Sequence, residues 1–192
     1  MTVSPSLSFA AHLPFKYVGG DPSVDLVNTV DWTARGLVED RLTDYDRLTR
    51  WAEGAGLITA RQGTQVRTLG VRHPRVAERV HREAVELRWQ LRNLFIAVGR
   101  RERVDDGAAL EAFNESLRAA LSESTLTEPP RGAAAEAPLQ WSWRQSSERL
   151  DAVVWPVLRA AADLLTSPEA TRIRECAGAD CGWIYVDRSR NG

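Results

Sequence analysis

Pro74-Arg-Val76-Ala-Glu-Arg-Val80-His-Arg-Glu-Ala84-Val-Glu-Leu87-Arg-Trp-Gln-Leu91-Arg-Asn-Leu94-Phe-Ile-Ala-Val98 is the stretch on which the fold turns. Val76, Val80, Ala84, Leu87, Leu91, Leu94 and Val98 recur at steps of three and four, while arginines and glutamates take the other faces. That period predicts a long amphipathic helix opened by Pro74. Upstream, Asp21-Pro22-Ser23 predicts a capped helix start. Val24, Leu26, Val27 and Val30 form its buried face, and Trp32 and Gly36 close it. A helix after Thr43, with Asp46 in a capping-box position, carries Leu48, Trp51, Ala52 and Ala55. Another runs from Thr59 to near Gly70. Downstream, a helix from Asp105 or Asp106 places Leu110, Phe113, Leu117 and Leu121 in register. Ser122 to Pro138 reads as a mobile, Pro-, Gly- and Ala-rich loop. Leu139 to Arg144 alternates as a half-buried strand. A helix capped by Ser147 carries Leu150 to Leu165; Pro156 kinks it or delays its start. The expected fold class is therefore mainly α (α+β). A helical domain carries one short β-hairpin, and the C-terminus adds a second that resembles half a zinc ribbon or treble clef.

Composition sets the outer limits. The chain has 192 residues, 43% hydrophobic and 27% charged, with a net charge of −1. That suits one globular domain plus a small appendage, with no stretch apolar enough for a membrane span. Residues 1–16 lack a basic leader and read as a flexible segment. Two cysteines are too few for a disulfide scaffold, which favours a reducing cytoplasm. One lysine, Lys16, stands against 24 arginines, and eleven of these fall between Arg61 and Arg103. Their expected place is a solvated helix face. Nothing in the sequence supports an enzyme: it has no phosphate loop, nucleophile elbow or zinc-protease motif.

Both cysteines fall in Arg172-Ile-Arg-Glu-Cys176-Ala-Gly-Ala-Asp-Cys181-Gly-Trp-Ile-Tyr-Val-Asp187-Arg-Ser189-Arg190-Asn191. Two short apolar runs flank a loop with Gly178 and Gly182. Two thiolates on such a turn are half of a structural zinc site. Free cysteines, a redox pair and a local disulfide are the other readings the pair allows, although its spacing exceeds that of Cys-x-x-Cys oxidoreductases.

The flanking residues resemble the start of a CGNR-type zinc finger. Residues 17–168 resemble that finger's usual companion, the ABATE domain, described as a stress-induced transcription regulator. The resemblance rests on Gly19-Gly20, Asp25-Leu-Val-Asn28-Thr29, Asp40-Arg-Leu42 and Trp51-Ala52. It implies a helical sensor or scaffold followed by a finger over 169–192. Cys176 and Cys181 would be the first two zinc ligands, with Arg174, Arg188 and Arg190 facing DNA. The family's third and fourth cysteines and its basic run have no counterpart, and His12, His73 and His81 are remote. The chain is thus expected to be a truncated or proteolysed form. Zinc would serve the complete finger and be absent or incompletely bound here, its thiols metal-free or shared with a neighbouring molecule. DNA binding by this chain is expected to be weak. The alternative is a small-molecule module, in which Asp25, Asn28, Trp32 and Trp51 line a pocket. Exposed apolar faces would allow a homodimer, without a heptad pattern to specify one.

Overall fold

The structure, a computed structural model, describes residues 14–33, 36–104, 107–129, 138–144, 146 and 148–189, with only the backbone at 32, 33 and 36–38. Asp21 accepts the Ser23 N–H at 2.8 Å and Pro22 opens α1 (Pro22–Val27). The helix does not continue to Val30. The chain turns at Asn28 and Thr29, and Val30–Thr33 becomes β1, antiparallel to β2 (Gly36–Asp40) with a bulge after Asp31. The three-residue spacing of Val24, Val27 and Val30 mimics a helix. Adjacent β-branched Thr29 and Val30 suit a strand as well, and the Arg41 N–H donates to Thr29 O to lock the turn.

α2 (Tyr45–Gly54) is capped by Asp44, whose carboxylate accepts the Arg47 N–H at 2.8 Å, so the expected Thr43 cap lies one residue early. The reciprocal capping box belongs to α3 (Ala60–Arg72), between Thr59 and Gln62. α4 (Pro74–Gly99) is the long helix read from the sequence. Its buried stripe runs Ala77, Val80, Ala84, Leu87, Leu91, Leu94 and Phe95, leaving Val76 exposed. Arg88 lies inside that stripe and is fully buried.

α5 (Gly107–Ser122) buries Ala109, Phe113 and Ala120, whereas Leu110 and Leu121 are exposed. The small alanines allow close approach to α4 and α6 and so choose the face. Part of the expected loop is ordered: β3 (Ser124–Thr127) pairs with β4 (Gln140–Trp143). Residues 130–137 and the expected helix starts at Asp105, Asp106 and Ser147 lie outside the described residues. Pro156 resolves the next helix by starting it. A 3₁₀ turn, Leu150–Val153, precedes α6 (Trp155–Leu165). A second 3₁₀ turn, Pro168–Arg172, leads to the last hairpin, β5 (Ile173–Glu175) and β6 (Ile184–Val186). Among the described residues, no helix is long and apolar enough to cross a membrane.

α1, α4 and α6 meet at the centre, and Trp51, Leu91, Leu94 and Phe95 are fully buried there. Ile173, Ile184 and Val186 belong to the same core. The terminal hairpin is therefore packed into the helical body.

Candidate metal half-site and its joint to the helical body

Alternation along β5 and β6 sends Ile173, Ile184 and Val186 inward and leaves Arg174, Glu175 and Tyr185 outside. Arg174 and Tyr185 face each other across the ladder. Beyond it, the Cys176 N–H donates to Trp183 O at 2.8 Å, and the Cys181 N–H donates to Gly178 O at 3.1 Å. This folds residues 176–183 into a closed loop that brings the two thiols into mutual hydrogen-bond contact. Each sulfur also accepts the backbone N–H two residues on. The Gly178 N–H and the Cys181 thiol lower the pKa of Cys176. Burial pushes the Cys181 thiol up, against the Trp183 N–H, with the charge of Asp31 adding to the rise.

Two sulfurs on one turn, each backed by an amide, fit two of the four ligands that structural zinc takes. Cys176 and Cys181 would hold the ion, and it would supply a cross-link within the loop. Among the described residues, no third Cys, His, Asp or Glu joins them in a metal-holding group. The His81 Nε2 pairs with Leu42 O at 2.7 Å, far from the thiols in the chain.

The hairpin owes its placement to α1. The Asn28 side chain donates from Nδ2 to Ile184 O at 2.7 Å, and its Oδ1 accepts the Ile184 N–H at 3.0 Å. Asn28 thus pairs with β6 as a neighbouring strand would. The Val186 N–H donates to Gly19 O at 2.8 Å, and the Gly19 N–H donates to Asp25 Oδ1 at 2.7 Å. Gly19 is needed there, since a Cβ would lie 2.6 Å from Val24 Cγ1. Trp183 donates its indole N–H to Val30 O at 3.0 Å, and Lys16 and Arg41 lie over its ring at 5.1 and 5.8 Å. Arg41 in turn holds the Asp31 carboxylate through two bonds of 2.9 and 2.8 Å. Burial acts to raise the pKa of Asp31, but Arg41, Trp183 and Lys16 together bring it below its ordinary value. At the far edge, the Arg92 Nη2 donates to Gly182 O at 3.3 Å.

These contacts give the sequence-predicted pocket residues a different role. Asp25 and Asn28 are buried in the joint with the hairpin, and Trp51 is packed in the core, its carbonyl accepting the Tyr17 hydroxyl. None of the three lines any of the five best-formed grooves among the described residues. The side chain of Trp32 lies outside the description. A groove of about 640 Å³ runs along α2, α3 and α4 past Asp46, Arg67, Val71 and Glu78. Of the arginines expected to face DNA, Arg174 donates to Thr171 O and Ile173 O, and Arg188 pairs with Glu169 at 2.9 Å. Arg190 is outside the described residues. Sequence reading missed the Asn28–Ile184 clamp, which spans 156 positions and leaves no local signature.

Burial sets the charge of the joint. Asp25 has a pKa of about 6 instead of 3.8, chiefly from burial, partly offset by the Gly19 N–H and raised again by Asp21. A folded-state pKa above the unfolded one stabilises the fold below about pH 4, and that contribution is lost as pH rises through about 6. Asp25→Asn keeps an acceptor for Gly19 and removes this titration. The melting-temperature difference between variant and wild type should therefore shift in the variant's favour from pH 5 to pH 7.5. Parallel curves across that range would contradict the assignment.

The fold and site define a helical body with a two-cysteine hairpin built into its core. The ABATE family model, described as "Putative stress-induced transcription regulator", matches residues 20–168, and the CGNR zinc finger model matches residues 172–192. The chain belongs to the ABATE family and carries a CGNR zinc finger segment. It matches no curated protein.

Proposed function

We propose that this protein is a DNA-binding transcription regulator of a stress response, acting in the cytoplasm, whose helical body orients a zinc finger. The observation that carries this reading is the thiol loop, with two amide-backed sulfurs fixed to α1 through Asn28 and Gly19. A loop held from behind by the core presents its outer strand face, with Arg174 opposite Tyr185, to a partner. Arginine reads phosphate bidentately and an aromatic ring stacks on sugar or base, so the pair suits nucleic acid. Zinc bound by Cys176 and Cys181 would stiffen the loop.

The test uses the whole gene product with a random-sequence duplex DNA at low salt, with zinc measured on the same sample. Zinc-loaded protein should bind, with affinity falling steeply as salt rises. The double replacement Cys176→Ser and Cys181→Ser should lose the metal and weaken binding by about tenfold or more. Failure of the zinc-loaded wild type to bind, or equal binding by the metal-free variant, would overturn the reading.

A further inference from the structure

We infer that Arg101, on the turn that ends α4, is a phosphate contact which the helical body adds to the finger. The inference rests on the DNA-binding reading above. α4 ends in a Schellman motif: the Arg101 N–H donates to Val98 O at 3.0 Å, and the Glu102 N–H donates to Ala97 O at 2.9 Å. The residue between those bonds must adopt the left-handed conformation, which normally selects glycine. Arg101 occupies it with φ 58°, and no other non-glycine residue among those described has a positive φ. A β-carbon in that region is strained. An arginine held there at a cost to stability has a function to explain it, since strain is stored where sites are built.

Its position fits that function. Gly99 approaches β5 so closely that a Cβ would lie 2.6 Å from Ile173 O, which seats the end of α4 against the finger hairpin. The next residue, Arg100, reaches across to Glu175 on β5 at 2.5 Å. The turn after this seat carries Arg100, Arg101 and Arg103, and the segment it meets carries Arg172 at the end of the 3₁₀ turn and Arg174 on β5, with the acids Glu102, Glu175 and Asp187 in the same segments. Within this group Arg100 is paired with Glu175, the Arg172 Nη2 donates to Ser189 O, and the Arg174 Nη1 donates to Thr171 O while its remaining nitrogens stay on the outer face. The Arg101 side chain is exposed and has no hydrogen bond or ion pair among the described residues. Arg101 and Arg103 are the arginines of this group whose side chains have no partner among the described residues, and of the two only Arg101 is held in the left-handed conformation. A duplex lying on that face would meet it with a backbone phosphate, which its planar fork binds bidentately. The helix C-terminus favours a cation at this position but needs neither strain nor an arginine to get one.

The decisive variant is Arg101→Gly, which removes the charge and relieves the backbone at once. It should melt about 2–4 °C higher than wild type. In the whole gene product it should bind the same random duplex about threefold or more weakly at low salt, and the slope of log affinity against log salt should fall by about one. Arg101→Lys keeps the charge in the same strained backbone and should retain the wild-type slope. Because the glycine variant is the more stable protein, weaker binding cannot be assigned to misfolding. Wild-type affinity and slope in Arg101→Gly would overturn the inference and leave the DNA-binding reading standing. Absence of duplex binding by the wild type would overturn both.

Discussion

Replacing Asp40 with alanine should destabilise the protein by about 3–5 kcal/mol, read as a lower urea midpoint with an unchanged slope. Arg88 projects from α4 with its side chain 0% exposed, and both terminal nitrogens are taken by Asp40, at 2.8 and 2.6 Å. A third bond, to the Thr29 hydroxyl, is 3.2 Å long, and Nε has no partner. Without Asp40 the guanidinium keeps only that hydroxyl, in a place water does not reach. An unpaired buried charge is among the most costly single defects, and natural domains have only about 5–15 kcal/mol to lose. The reverse change, Arg88→Met, should cost less, because the Asp40 side chain is 26% exposed and can be hydrated. The double variant Arg88→Met with Asp40→Ala should recover most of the loss, since an apolar pair of similar volume replaces a desolvated ionic one. The exposed pair Arg79–Glu83 on the same helix makes a control. It is a single bond of 3.0 Å between neighbouring turns and lies in solvent, and its removal should change stability by under about 1 kcal/mol. A cost below about 1 kcal/mol for Asp40→Ala would show that Arg88 is not desolvated as the structure has it.

Arg88 also shows how far the sequence could be read. The 3.6-residue period exposed α4 almost to its ends, because a long helix repeats its signal many times. The same period marks Arg88, four residues after Ala84 and three before Leu91, as a core position. Counting it among solvated arginines trusted residue type over place. Short elements carry weaker signals. Six-residue α1 ran on in the sequence reading because Val30 happens to continue its spacing, while β1 is fixed by pairing with β2 and by Arg41 holding Asp31. β3 is a half-exposed Ser-Thr-Leu-Thr without apolar alternation, so only its partner β4 was legible. Two sequence features did point to the candidate site: the cysteine loop and the Gly19-Gly20, Asp25, Asn28 pattern. What could not be read is that they are one structure. A buried amide meeting a strand 156 residues away follows from tertiary packing, and no local rule encodes it.

Asn28→Ala should cost roughly 2–4 kcal/mol, with the damage concentrated at the terminal hairpin. The asparagine is 2% exposed and satisfies both backbone groups of Ile184, so truncation strands a buried donor and a buried acceptor together. Each such group carries a desolvation cost of about 1–3 kcal/mol. Asn28→Asp should be no milder: it keeps the acceptor for the Ile184 N–H, loses the donor to Ile184 O and buries a charge. Among the described residues β6 bonds to β5, Asn28 and Gly19, so loss of this clamp leaves the β5 ladder, the Val186–Gly19 bond and the apolar contacts to hold the strand. Local opening should then precede global unfolding. Amide exchange at Ile184, Val186 and Cys176 should accelerate well beyond that at Leu91 or Leu94 in the α4 core. Alkylation of the half-buried Cys181 should accelerate with it. If Asn28→Ala lowers stability but leaves exchange at Ile184 slowed as in wild type, the joint lies elsewhere, with Trp183 and Val30 the next contact to test. If it speeds exchange at the hairpin and at Leu91 equally, hairpin and helical core open as one cooperative unit. The hairpin's geometry would then be set by the stability of the whole domain.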